Sequence, residues 1–145
     1  MQSIFLFFGA VCAFIGVGMG AFGAHGLKNV LSPEMLAVYH TGASYQMWHA
    51  LGLIGIALVR RDDPTSRLLN WAGWLMLIGI VLFSGSLYLL AIMDLKELGM
   101  ITPFGGVSFL IAWLLLAVYA ARTPPSTRYS GHDSQKNTAK IGRLN

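Results

Sequence analysis

The chain has 145 residues, enough for one compact unit. It is 55% hydrophobic and only 11% charged, against roughly 25% charged in a soluble domain, which argues against a soluble globular protein. The net charge of +4 does not point to nucleic acid, because the Lys and Arg residues sit at the ends of apolar runs and in the C-terminal tail, where topology and anionic headgroups account for them.

Residues 4–24, 42–59, 71–93 and 103–121 contain no Asp, Glu, Lys or Arg. A bilayer core needs about 20 apolar helical residues. The expectation is therefore an all-α polytopic membrane protein, a bundle of four transmembrane helices over about 4–24, 33–59 (its membrane part about 40–59), 68–93 and 103–121. Strands are disfavoured, because these runs lack the period-two alternation of a membrane barrel.

The first run has no Lys or Arg before it and exceeds the usual ~7–15 residues of a signal-peptide core, so it is expected to be retained as a helix. Within it Gly9, Ala13, Gly16 and Gly20 recur at spacings of four, three and four, a face along which a second helix can approach closely. Ser32-Pro33-Glu34 is a helix start, with Ser as N-cap, Pro in the first turn and an acid near the positive end. From Pro33 the second helix either runs unbroken to Val59 or bends near Thr41-Gly42. Arg60, Arg61, Asp62, Asp63, Pro64 and Arg67 make a charged turn, and Trp71 and Trp74 suit the interface beside it. Asp94, Lys96, Glu97 and Gly99 make the next loop, and Thr102-Pro103 opens the fourth helix. One domain thus covers 1–122. The polar stretch 123–145, with Pro124-Pro125, reads as a disordered cytoplasmic tail. Eight Lys and Arg fall in the 60–67 turn and from Arg122 onward, whereas Lys28 and Lys96 lie on the opposite side. The positive-inside rule then puts both termini in the cytoplasm.

The runs Gly20-Ala21-Phe22-Gly23-Ala24-His25, Tyr45-Gln46 with His49, Leu82-Phe83-Ser84-Gly85-Ser86-Leu87-Tyr88 and Thr102-Pro103-Phe104-Gly105-Gly106 stand in this order along the chain. In them the chain resembles the YgdD-like family, small bacterial inner-membrane proteins with a eukaryotic transmembrane relative, over about residues 4–121. The resemblance implies a four-helix, multi-pass protein of the bacterial inner (plasma) membrane. It carries no activity, substrate or cofactor.

Depth follows from counting at about 1.5 Å per helical residue. His49 falls roughly 16 Å from the Arg60 boundary, near mid-bilayer, with Tyr45 and Gln46 about 5–6 Å further out. Ser84, Ser86 and Ser108 reach similar depths, and His25 stands at the outer rim. Lipid excludes unsatisfied polar groups, so these side chains are expected to turn inward. His25, Tyr45, Gln46, His49, Ser84, Ser86 and Ser108 form the candidate ligand-binding set. Two readings stay open: hydrogen bonds between helices, or a pocket for a ligand or permeant. No metal site or cofactor is expected. Cys12 is the only cysteine. His25 and His49 differ in depth by more than about 10 Å, too far to share a haem iron, and His25 with His40, two imidazoles without a Cys or a nearby carboxylate pattern, are weak evidence for a surface metal. No acid lies within a span, so proton-coupled export fits poorly. Without a catalytic constellation, the expectation is a non-enzymatic accessory or assembly module. The alternative is a small carrier or pore for a neutral or weakly polar solute, and a lipid-acting enzyme with His49 as base fits less well. The expected partners are the lipid bilayer and a membrane protein or a second copy of the chain, with no nucleic acid.

Overall fold

The structure, a computed structural model, describes residues 2–122. The expected tail, 123–145, lies outside the described residues. Helix α1 (Gln2–Phe22) continues through a π turn over Gly23–Leu27. Helix α2 (Pro33–Val59) is unbroken, so no bend forms at Thr41-Gly42. Helix α3 (Arg67–Gly79) passes through a second π turn, Ile80–Ser84, into α4 (Gly85–Met93). A 3-10 turn, Lys96–Met100, leads into α5 (Thr102–Arg122). The described residues thus form four long helical rods and no strand.

Local chemistry explains where the rods begin and end. Ser32 is extended and its hydroxyl accepts the Met35 N–H at 3.3 Å, one of the donors left unpaired at a helix start. Hydrogen bonds from its own backbone and from Ser32 hold the exposed Glu34 carboxyl below the usual carboxylate range. Ser66 caps α3 in the same way, accepting from Leu69 at 3.4 Å. At the far end of α4, Asp94 takes the left-handed conformation, φ 53°, which stops the helix.

The rods run in sequence as neighbours. α1 lies along α2, α2 lies against the α3–α4 rod, and α5 packs on α3 and its π turn. Phe5, Leu53, Ile56, Met76, Ile80 and Phe109 fill one core cluster, and Leu27, Tyr39, Ala43, Tyr88 and Ala91 a second one. The outside is apolar too: Phe14 is 81% exposed, and Phe7, Trp71, Phe104, Leu110 and Leu114 are also exposed. Large apolar side chains on the outside suit a lipid surrounding.

Among the described residues, three stretches are long and apolar enough to cross a membrane: Ile4–Leu27, Arg67–Met93 and Glu97–Arg122. α2 is 27 residues long and is absent from these because Tyr39, Tyr45, Gln46 and His49 lower its apolar character. It is two-sided. Tyr39, Gln46, His49 and Leu53 are buried, while Trp48, Leu51 and Leu58 face outward.

Helix α1 meets α2 through glycines, though in a different register from the expected Gly9, Ala13, Gly16 and Gly20. A Cβ on Gly9 would stand 2.7 Å from Ile54, one on Gly16 3.4 Å from Met47, and one on Gly23 2.6 Å from Tyr39. A Cβ on Gly20 would meet nothing within 4 Å, and Ala13 is half-buried. The seam repeats every seven residues. Inclined helices meet along a 3.5-residue repeat, and a fixed face of a straight helix drifts away from it.

Candidate functional site

The polar groups of α2 face the interior and are used there. Gln46 is the centre. Its amide Nε2 donates to the Cys12 carbonyl of α1 at 2.8 Å, and its Oε1 accepts the Tyr88 hydroxyl of α4 at 2.8 Å. A carboxamide has both a donor and an acceptor end, so one side chain ties three rods. About two helical turns toward the start of α2, the fully buried Tyr39 donates to the Met19 carbonyl of α1 at 2.9 Å. Met19 stands just before the Gly23–Leu27 π turn, where the i→i−4 ladder changes register and carbonyls become available to other donors. The Tyr39 and Tyr88 rings lie 5.0 Å apart and pack on each other.

His49 Nδ1 lies 2.6 Å from the Tyr45 carbonyl. A carbonyl only accepts, so Nδ1 carries the proton. The ring stacks on Phe109 of α5, centroids 3.4 Å apart and planes at 13°. Tyr45 is half-buried and stacks on Phe83 of the second π turn at 4.6 Å. His49 and Tyr45 thus belong to an aromatic stack, with the imidazole as one of its plates.

The serines are not joined to this trio by hydrogen bonds. Ser108 donates to the Leu75 carbonyl at 2.8 Å and ties α5 to α3. Ser86 bonds the Phe83 carbonyl at 2.9 Å and the Thr102 hydroxyl at 2.8 Å, tying α4 to the start of α5. In place of the expected meeting of Tyr45, Gln46 and His49 with Ser84, Ser86 and Ser108, Ser108 and Ser86 make separate ties of their own. The reason is reach: a short serine hydroxyl bonds a carbonyl one turn back or a group on the touching helix before a side chain across the bundle. Ser84, at the end of the second π turn, is 1% exposed and its hydroxyl has no partner among the described residues. His25 sits exposed on the first π turn, apart from the other six. His40 is exposed as well.

Tyr88, Tyr39, Thr102 and Phe109 are the participants that sequence reasoning missed. Tyr88 and Thr102 lie inside the motif runs noted above, and their place in those runs was the signal. The acceptor carbonyls of Cys12, Met19 and Leu75 leave no trace in a sequence, because every residue has one. Among the described residues, no group of three or more His, Cys, Asp or Glu stands close enough to hold a metal ion.

Comparison with known proteins places this arrangement. The family described as Protein of unknown function (DUF423) matches residues 19–106, which contain all four motif runs noted above. The chain is similar to a UPF0382 membrane protein of Staphylococcus saprophyticus, 49% identical over 117 residues, which cover 81% of this chain and 96% of the relative. It is similar to another, YwdK of Bacillus subtilis, 47% identical over 121 residues, covering 83% of this chain and 98% of the relative. A relative in Staphylococcus haemolyticus is 48% identical over 117 residues. No solved structure matches. With most of its length shared at nearly half identity, and with helices of membrane-spanning length and an apolar exterior, the chain belongs to the DUF423 family of bacterial UPF0382 membrane proteins.

Proposed function

We propose that this protein crosses the bacterial plasma (inner) membrane four times, with both termini in the cytoplasm, and works there as a non-enzymatic accessory or assembly module of a membrane complex. The observation that carries the module reading is the use made of the inward polar groups. Gln46, Tyr88, Tyr39, Ser86 and Ser108 spend their hydrogen bonds on other helices, and His49 is clamped between the Tyr45 carbonyl and the Phe109 ring. Such ties make a rigid body to which other membrane helices can dock. Support for α2 as a fourth span is its length, about 40 Å for 27 residues, with apolar Trp48, Leu51 and Leu58 outward. Thr41, on the same outward strip, donates to the Ala37 carbonyl at 3.0 Å, the way a hydroxyl is satisfied in lipid.

Ser84 favours a second reading, a carrier for a small neutral or weakly polar solute, because a buried hydroxyl without a partner beside a π turn is a place where a hydroxylic solute gains a bond. One experiment separates the two. The full chain, tagged and extracted in mild detergent from its own cells, is purified as wild type and as Ser84→Ala. The module reading expects one stoichiometric membrane-protein partner with both, since the substitution removes no bond. No reproducible partner, together with solute uptake into vesicles that Ser84→Ala abolishes, contradicts it and supports the carrier.

A further inference from the structure

Arg60, the residue that closes α2, is only 5% exposed. A guanidinium stays protonated and carries five N–H donors. Its contacts here are neutral. Nη2 donates to the Pro64 carbonyl at 3.1 Å, and the guanidinium carbon lies 5.4 Å from the centre of the Phe5 ring. Nε–H is buried and has no acceptor among the described residues. Of the acids of the same turn, Asp63 accepts the Thr65 hydroxyl at 3.3 Å. A buried cation without a counter-anion is unfavourable, so this one calls for an anion from outside the described chain.

A second observation lies on the next helix. An apolar groove of about 340 Å³ runs along α3 into its π turn, lined by Trp74, Leu77, Ile78, Val81 and Leu82, with no polar surface. Trp74 to Val81 is about 10 Å of helix, within the ~15 Å of one hydrocarbon leaflet. One ring stands between the groove and the cation. Phe5, under the guanidinium, meets Trp74 edge-on, centroids 5.6 Å apart at 78°, and Trp74 lines the groove. Gly73 makes this possible, because a Cβ there would stand 2.6 Å from the Phe5 ring. Arg67 lies exposed at the start of the same helix.

An inorganic phosphate would satisfy only the guanidinium, and a neutral lipid only the groove. The molecule that satisfies both has an anionic head joined to an apolar tail. We propose that the Arg60 end of the bundle is a specific site for one anionic phospholipid, its phosphate diester on the Arg60 guanidinium and an acyl chain along the Trp74–Val81 groove. This requires only that the chain sits in a bilayer and is independent of the module reading.

The test is native mass spectrometry of the full chain released from detergent micelles, with dioleoyl phosphatidylglycerol, dioleoyl phosphatidylcholine, dioleoylglycerol or glycerol phosphate added. The wild type should retain one phosphatidylglycerol with about tenfold preference over phosphatidylcholine, equivalent to about 1.4 kcal/mol, and should retain neither dioleoylglycerol nor glycerol phosphate. Arg60→Gln should abolish that preference, whereas Arg67→Gln should leave it intact. Ile78→Trp keeps Arg60 and fills the groove, so it should lower phosphatidylglycerol retention. Equal retention of the two phospholipids, an unchanged preference in Arg60→Gln, an equal loss in Arg67→Gln, or a dimer that binds no lipid would overturn the site. If Arg60→Gln does not fold, Ile78→Trp decides: undiminished phosphatidylglycerol retention in that variant overturns the proposal.

Discussion

Gln46 shows how a polar side chain is used inside a membrane protein. Its two ends face opposite ways, toward the Cys12 carbonyl and the Tyr88 hydroxyl, so it is satisfied without water. Interhelical hydrogen bonds in bilayers contribute about 0.6 kcal/mol on average and up to about 1.7. Gln46→Leu should therefore destabilise the bundle by about 1–2 kcal/mol, more than Tyr88→Phe, because it removes two interhelical bonds where Tyr88→Phe removes one. A double-mutant cycle read by denaturant unfolding in detergent should give a coupling of about 0.6–1.7 kcal/mol between the two positions. Additive effects would mean that the bond contributes nothing and that Gln46 is there for another purpose.

At the scale of elements, the two π turns set what each rod presents to its neighbour. The second places Phe83 against Tyr45 and against α5, and its contact with α5 depends on Gly105. A Cβ on Gly105 would fall onto the Phe83 backbone, with its Cα 2.8 Å away, and backbone cannot step aside as a flexible side chain can. Gly105→Ala should therefore lower stability by about 1–3 kcal/mol. Gly20→Ala, whose Cβ would meet nothing within 4 Å, should be neutral or slightly stabilising, since alanine is the better helix former. Thermal unfolding in detergent compares the two, and equal loss would contradict the packing described here. The positions of the rods were legible in the sequence because charge is absent over 4–24, 42–59, 71–93 and 103–121 and returns between them. The caps at Ser32 and the turn at Arg60–Pro64 were legible for the same local reasons. The π turns were not. Gly23–Leu27 and Ile80–Ser84 have no composition that separates a π turn from an α turn, and the register shift is favoured by what packs beside it, such as the Tyr39 ring over Gly23. The inward set Tyr45, Gln46 and His49 was legible from helical spacing. Its partners were not, because the Cys12 carbonyl, the Tyr88 hydroxyl and the Phe83 and Phe109 rings are brought to it by how the rods pack, along a seam that follows Gly9, Gly16 and Gly23.

At the scale of the whole molecule, α2 distinguishes the arrangements open to an apolar chain with three evident spans. If it crosses the bilayer, the loop at Lys28–Leu31 and the turn at Arg60–Pro64 lie on opposite faces, and the positive-inside rule assigns the arginine-rich turn to the cytoplasm. If it lies outside, both lie on one face. The polar interior of α2 and its apolar outer strip, Trp48, Leu51 and Leu58, are what a fourth span sheltered by its neighbours requires. The most direct test is labelling of single cysteines in intact cells with a membrane-impermeant maleimide, in a Cys12→Ala background, at the exposed positions Asn29 and Thr65. The account predicts that Asn29→Cys is labelled from outside and that Thr65→Cys is labelled only after the membrane is permeabilised. Labelling of both from the same side would contradict it.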